Sequence, residues 1–388
     1  MIDTLYRSEN LELRRVAAGD GRVQVVTFDH YHDQPGTDRT AFGQDHFAAR
    51  GITALHLLSR GNDWFQYPET EEVLRLIRAA VEGASRVVAY GSSMGGYAAL
   101  RFAAAIGADA ALALSPQYSL DRRKAGFETR WAQDRRRIRF RHALDGAIVP
   151  VPLMVLAYDP RVRPDRLHAA RIMRAVPLTP IALPYAGHPV GPFLADVGLL
   201  DTLVTTILDG VFDAAALHRA ALARRGRSPE WLAQLAAAQP AHRARLAVGL
   251  AERAVALAPD RPPILDRLAI CLAAAGRFDD ALSMHDKALA IEPAVAYRWS
   301  LSKTLHAAGD LHRAIAVVRS IQSDAPHLAG YHAWAAKLRR ALGDDRGALD
   351  DLRQACAHDP ANLAYRLMLQ RLAWTIRLRR VTRPATAP

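Results

Sequence analysis

Val87-Val88-Ala89-Tyr90-Gly91-Ser92-Ser93-Met94-Gly95-Gly96-Tyr97-Ala98-Ala99-Leu100 is an apolar run that breaks at Gly-x-Ser-x-Gly and passes directly into a helix-forming run. The order predicts a strand, a sharp turn with Ser93 at its tip, and a helix. Gly91 and Gly95 flank Ser93 at two residues on either side, where a Cβ would crowd the turn. Such a turn lifts the hydroxyl out of the backbone at a helix N-terminus. The N–H of Met94 then faces the place where a developing oxyanion would sit. Ser92 is the competing hydroxyl, but it lacks glycines at both two-residue flanks.

Outward from this turn, short apolar runs rich in β-branched residues predict strands at Val23–Phe28, Thr53–Ser59, Arg86–Tyr90, Ala110–Ser115, Leu153–Tyr158 and Ile181–Pro184, with Leu11–Ala17 as an edge strand. Helical patterns lie between them at Glu69–Val81, Gly95–Ala105, Pro164–Ala175 and Phe193–Leu208. The strands are continuously apolar instead of alternating. That predicts burial on both faces and a mostly parallel sheet flanked by helices.

A serine hydroxyl needs a base, and the base needs an orienting acid. In an open parallel sheet both come from loops after the C-terminal ends of later strands. Leu153–Tyr158 is followed by Asp159-Pro160-Arg161-Val162, and Ile181–Pro184 by Tyr185-Ala186-Gly187-His188-Pro189. The order Ser93, Asp159, His188 suits a nucleophile, an acid and a base. Asp165, six residues after Asp159, is an alternative acid or a cap for the helix that follows.

On these residues the chain resembles the α/β-hydrolase family over about residues 10–212, and its Gly-Ser-Ser-Met-Gly-Gly turn is similar to those of serine esterases. The resemblance implies catalytic roles for Ser93, Asp159 and His188, with oxyanion donors at Met94 and at Asp29 or His30 in the loop after Val23–Phe28. The His-Gly signature of many lipases is missing from that loop. Asp29, His30, His32 and Asp33 could instead hold a metal, but the implied chemistry needs none, so no metal or cofactor is expected.

The segment 118–150 occupies the usual place of a cap. It carries Arg122, Arg123, Lys124, Arg130, Arg135, Arg136, Arg137, Arg139 and Arg141 with Trp131 and Phe140. These arginines are a solvated basic face, or they recognise an anionic substrate. Trp64, Gln66, Tyr118 and Trp131 are candidate substrate contacts. Trp64-Phe65-Gln66, the serine turn and Ser115-Pro116-Gln117-Tyr118 are together similar to uncharacterised bacterial hydrolase-like proteins associated with surface-polysaccharide synthesis. A small-molecule or glycan acyl ester is the expected substrate.

Past Ala223-Arg224-Arg225-Gly226-Arg227-Ser228-Pro229 the strands stop and a period begins. Gly276, Gly309 and Gly343 are 33 and 34 residues apart, as are Ala281, Ala314 and Ala348. Pro259, Pro293, Pro326 and Pro360 keep the same spacing. A helix–turn–helix unit of this length, with glycine in the turn and small residues in the second helix, resembles the tetratricopeptide repeat (TPR). Ala288 and Ala355 supply a second small contact, which Ile321 replaces in the middle repeat. The resemblance implies a groove for a protein or peptide, faced by Trp299, Lys303, His306, Lys337 and Arg340, suited to an acidic segment or a C-terminal carboxylate.

The expected division is a hydrolase domain at 1–222, a linker at 223–229, repeats at 230–380 and a disordered tail at 381–388. The 388 residues are 50% hydrophobic with a formal net charge of +12. Lys124, Lys287, Lys303 and Lys337 are the lysines among 51 basic residues, which suggests arginine-biased composition more than a dedicated anionic partner. Zinc patterns, RNA-binding signatures and basic low-complexity tails are missing, so no nucleic acid is expected. No apolar run is long enough for a membrane span. Met1–Arg7 does not read as a signal peptide, and Cys271 and Cys356 make no disulfide framework, so a cytoplasmic location is expected. The leading expectation is a serine hydrolase cleaving an ester or thioester through an acyl-enzyme, with repeats binding a partner. The alternatives are a non-catalytic adaptor whose repeats carry the function, and an acyltransferase using the same triad.

Overall fold

The computed structural model describes residues 2–32 and 36–381. The chain forms two compact units, Met1–Gln234 and Leu235–Pro388. Where the sequence suggested a linker at 223–229, the structure has the end of the helix Ala214–Arg224, a short 3-10 turn at Arg225–Arg227 and the start of the helix Pro229–Ala237. Ser228 Oγ donates to Asp196 Oδ2 at 2.7 Å, and the Trp231 indole donates to the Pro184 carbonyl at 3.1 Å. These bonds keep the chain on the first unit beyond residue 229. Of the expected tail, residues 382–388 lie outside the described residues.

Eight strands form one mixed sheet in the first unit. They are β1 (Ile2–Arg7), β2 (Leu11–Val16), β3 (Val23–Phe28), β4 (Thr53–Ser59), β5 (Arg86–Ser92), β6 (Ala110–Leu114), β7 (Leu153–Tyr158) and β8 (Thr179–Ala182). Their order is β1-β2-β4-β3-β5-β6-β7-β8. β1 pairs antiparallel with β2, and β2 antiparallel with β4. From β4 across to β8 every pairing is parallel. The antiparallel start qualifies the expected parallel sheet. β1 escaped the sequence reading because all but one of its side chains are exposed, so it lacks the apolar run that marks its neighbours.

The continuous apolar strands are buried on both faces, as all seven residues of β4 and all five of β6 demonstrate. Successive residues feed opposite layers. Val26, Leu55 and Ala89 pack on one side with Phe28, Phe65 and Phe102. Val25, Ala54 and Val88 pack on the other with Phe47, Leu203 and Ile207. The helices Thr70–Ala80, Met94–Phe102 and Arg163–Ala175 match their sequence patterns closely. The expected helix at 193–208 is two, Gly191–Asp196 and Leu200–Leu208, separated at Gly198, whose φ of 67° is left-handed.

The second unit is helical. Three antiparallel pairs follow one another: Pro262–Ala274 with Phe278–Ile291, Val295–Ala307 with Leu311–Asp324, and Ala329–Ala341 with Asp345–His358, before the terminal helix Leu363–Val381. Gly276, Gly309 and Gly343 sit at the turns with φ of 77°, 86° and 80°. A side chain at that φ would be strained, which is the physical reason for the glycine period. Ala281, Ala314 and Ala348 are fully buried where paired helices meet. No helix among the described residues is long and apolar enough to cross a membrane.

Candidate functional site

β5 delivers Ser93 to a turn with φ 51° and ψ −114°, an unfavourable backbone held by its surroundings. Ser93 N donates to the Leu114 carbonyl at 2.8 Å, and Tyr97 N to the Ser93 carbonyl at 3.0 Å, tying the turn to β6 and starting the helix. A Cβ on Gly91 would lie 2.1 Å from the Gly95 carbonyl oxygen, and one on Gly95 would lie 2.2 Å from the Phe28 carbonyl oxygen. Both glycines are therefore required by close backbone approach.

His188, in the loop after β8, places Nε2 3.1 Å from Ser93 Oγ. Its Nδ1 lies 2.7 Å from Asp165 Oδ2. The acid in contact with His188 is thus Asp165, in the first turn of Arg163–Ala175, and the assignment to Asp159 is corrected. Asp159 is buried, but it faces backbone: Oδ1 accepts from Arg161 N at 2.7 Å and Oδ2 from Gly187 N at 2.9 Å. Burial raises its pKa against the pull of those N–H groups. Asp159 braces the loop that carries His188, and Asp165 meets the ring.

Asp165 is itself held. Arg130 Nη2 stands 2.8 Å from its Oδ1 and 2.7 Å from Glu128 Oε2, with its guanidinium over the Trp131 ring. Tyr118 N donates to His168 Nδ1 at 3.1 Å, so His168 carries its proton on Nε2, which donates to Glu128 at 3.1 Å. Burial opposes ionisation of Glu128, but the bonds from His168 and Arg130 outweigh it and hold its pKa at about 2. Burial lowers the pKa of His168, against the attraction of Glu128.

The oxyanion assignment changes in part. Asp29 N donates to the Leu57 carbonyl at 3.2 Å, and its carboxylate accepts from Arg39 and from Ser59 N. Asp29 is therefore committed to the end of β4 and to Arg39, and is withdrawn as an oxyanion donor. His30 lines the cavity beside Ser93, and burial lowers its pKa. Met94 is buried at the start of the helix. Asp33 lies outside the described residues, and no group of metal-binding side chains occurs among the described ones.

A cavity of about 530 Å³ opens beside Ser93. Of the four candidate substrate contacts only Trp131 lines it, with its ring 5.8 Å from that of His188. Trp64 is fully buried and donates to Gln117 at 3.0 Å. Gln66 is buried too, donating to Tyr97 Oη at 3.0 Å and accepting from Arg141 N. Tyr118 packs beneath Arg101. These three serve the core and are corrected as substrate contacts. Sequence reasoning missed Gln117, whose Nε2 donates to Ser93 Oγ at 3.2 Å. Its position two residues past Ser115, after the strand next to β5, was the available signal.

In the second unit, Trp299 lies 5.6 Å from Trp334 and 5.1 Å from Tyr331 between ring centres. The Lys303 ammonium stands 5.0 Å over Trp299, and that of Lys337 4.6 Å over Trp334. His306 contacts Trp334 at 5.1 Å. Burial and the charge of Lys337 lower the His306 pKa. Trp299, Lys303, His306 and Lys337, all named for a groove, thus form one patch with Tyr331 and Trp334 on two successive repeats. Arg340 is exposed three residues after Lys337.

The second unit is TPR-like, and its solved neighbours are tetratricopeptide-repeat proteins. TTC0263, a thermophilic TPR protein of Thermus thermophilus, is 21% identical, covers 45% of this chain and 97% of its own, and has a TM-score of 0.35. YrrB, described as a TPR protein with an unusual peptide-binding site, is 15% identical, with 46% of this chain and 91% of its own covered at a TM-score of 0.34. MamA from Desulfovibrio magneticus RS-1 is 18% identical, covers 36% of this chain and 83% of its own, and has a TM-score of 0.31. No protein-family model and no curated protein matches the chain. Against the expectation of an ester- or thioester-cleaving hydrolase, the solved structures similar to the chain are repeat proteins.

Proposed function

We propose that the chain is a protein-interaction adaptor whose repeats bind an acidic peptide segment or a C-terminal carboxylate. The observation that carries this reading is the patch in which Lys303 and Lys337 lie over Trp299 and Trp334. Aromatic rings supply apolar contact area, and an ammonium held against a ring is preorganised for a carboxylate. Both lysines are exposed on corresponding turns of consecutive repeats, so an extended acidic peptide would meet them in succession.

The test is fluorescence anisotropy of the full chain with a labelled acidic peptide bearing a free C-terminus, beside its amidated and its lysine-substituted forms. Lys303→Glu with Lys337→Glu is expected to weaken binding of the acidic peptide at least 30-fold, on the order of 1 kcal/mol or more per desolvated charge pair. Equal affinity of the double variant and the wild type overturns the reading.

A second reading is favoured by the Ser93–His188–Asp165 chain of contacts. We propose that the first unit has an α/β-hydrolase fold, a reading its sheet order β1-β2-β4-β3-β5-β6-β7-β8 supports, and that it is an enzyme in which Ser93 is a nucleophile. His188 would take the hydroxyl proton as Ser93 attacks an activated acyl carbonyl, and give it to the departing group. An acceptor other than water would then take the acyl group, as in an acyltransferase. A fluorophosphonate probe tests this reading: labelling that persists unchanged in Ser93→Ala would refute it.

A further inference from the structure

We propose that the terminal helix Leu363–Val381 docks the second unit on an anionic lipid surface, laying a narrow apolar ridge into the headgroup region between flanking arginines. The proposal stands independently of the peptide patch and of the Ser93 reading.

The helix has two apolar sides, and the repeats bury one of them. Met368, Leu369, Leu372 and Ile376 pack inward with Ala336, Ala348, Leu349 and Leu352. Leu363, Leu367, Trp374 and Leu378 are exposed, Trp374 at 64% and Leu363 at 62%. At 3.6 residues per turn these four fall within about 60° of the helix circumference, on the side away from Leu372. The helix that closes a repeat array ordinarily turns a polar face outward. Here that face is a row of large apolar side chains that includes an indole, the pattern of a helix lying in a membrane interface. Residues 382–388, Thr-Arg-Pro-Ala-Thr-Ala-Pro, hold no large apolar side chain to cover the row.

Charge selects the occupant. Arg366 and Arg377 border the ridge on one side and Arg371 on the other, by the same helical geometry. All three are exposed and make no ion pair among the described residues. From Leu363 to Pro388 the sequence has no Asp or Glu, and Arg379, Arg380 and Arg383 add to its positive charge. The acids of the preceding helix are engaged. Asp351 and the capping Asp344 pair with Arg339 at 2.9 and 3.1 Å, Asp350 pairs with Arg353 at 2.8 Å, and Asp345 also has a partner. A second copy docked ridge to ridge would bring like charges together with no acid between them. The ridge is convex, so it offers no groove in which a partner helix could seat. A bilayer surface meets both demands: the acyl boundary takes the Leu and Trp side chains, and anionic headgroups take the guanidinium groups.

The test is flotation of the full chain with vesicles of equal parts phosphatidylglycerol and phosphatidylcholine, beside vesicles of phosphatidylcholine alone. Binding is expected to be stronger on the anionic vesicles by about tenfold or more, and to fall about fivefold for each of Arg371→Gln and Arg377→Gln. Leu367→Ser with Trp374→Ser keeps every arginine, and should weaken binding on the order of 30-fold while circular dichroism stays native. Brominated acyl chains should quench part of the tryptophan fluorescence of the wild type and none of that of Trp374→Phe, a comparison that serves if the double variant does not fold. No binding to the anionic vesicles would leave the ridge to a protein partner and overturn the proposal. Equal binding to both vesicle types, undiminished binding of the folded double variant, or quenching that persists in Trp374→Phe would overturn it too. So would a concentration-dependent dimer of the wild type that the double variant abolishes.

Discussion

His188 Nδ1 lies 2.7 Å from Asp165 Oδ2, and this one contact orients the imidazole toward Ser93. A carboxylate at that distance accepts the Nδ1 proton, so Nε2 is left as the acceptor that faces the Ser93 hydroxyl. Asp165 reaches the ring from the first turn of a helix, while Asp159, at the end of β7, holds the backbone of the same loop through Gly187 N.

The two aspartates should separate cleanly in a labelling experiment. Asp165→Asn would leave the ring in the wrong tautomer and slow fluorophosphonate labelling of Ser93 by about 10⁴-fold. Asp159→Asn keeps most of its hydrogen-bonding shape and should change the rate less than tenfold while loosening the 185–188 loop. The reverse ranking of the two rates would return the acid to Asp159.

Two glycines predict opposite outcomes for the same substitution. Gly95→Ala would drive a Cβ to 2.2 Å from the Phe28 carbonyl oxygen, so a loss of about 4 kcal/mol or more is expected, seen as insoluble or unfolded protein. Gly249 lies within the helix Ala244–Leu257, where an added Cβ would meet open space. Gly249→Ala should stabilise the second unit by about 0.5–1 kcal/mol in thermal unfolding.

Acid should weaken the first unit through His56. This ring is fully buried against Thr27, and burial lowers its pKa from 6.5 to about 4. The unfolded chain takes up the proton first as pH falls, so His56 costs no stability above pH 6.5 and an increasing amount between 6.5 and 4. The loss should be on the order of 3 kcal/mol at pH 4. Hydrogen-exchange protection of the Leu55–Leu58 amides, compared with His56→Gln across that range, measures it. A pH-independent difference between the two proteins would remove His56 as the cause.

Glu128 should matter for the cap out of proportion to its distance from Ser93. Glu128→Gln removes the buried carboxylate shared by Arg130 and His168, leaving Asp165 as the remaining close carboxylate of the partly exposed Arg130 side chain, and lost hydrogen bonds to a charged group of this kind cost about 1.5–3 kcal/mol. Protease sensitivity within residues 118–150 is expected to rise sharply. With a folded pKa of about 2, the stabilisation by Glu128 is complete above the ordinary carboxylate range and disappears as pH falls toward 2.

Peptide binding by the repeats should weaken with salt, because Lys303 and Lys337 are exposed. Trp334→Ala removes the ring under Lys337 and the indole donor to Ser302 Oγ at 2.9 Å. It should cost about 2 kcal/mol of peptide affinity, as truncation of a central aromatic does, measured by anisotropy at fixed ionic strength.

What the amino-acid order determined by itself was local. The strand–Ser93–helix turn is legible because Gly91 and Gly95 meet a steric demand within five residues. The 33- and 34-residue periods are legible because every turn needs a left-handed residue and every helix pair needs a small one. The strands of the sheet centre announce themselves by burial on both faces, and β1, exposed and bound at an edge, does not. His188 was found because it follows the last strand. Tertiary structure decided which of two aspartates meets it, that Asp29 spends its N–H on Leu57, that Trp64 and Gln66 face the core, and that Arg123, Arg130 and Arg137 pair with carboxylates. Each of those outcomes depends on the direction of a side chain or amide across packed elements far apart in the chain, and neither residue type nor spacing carries that direction.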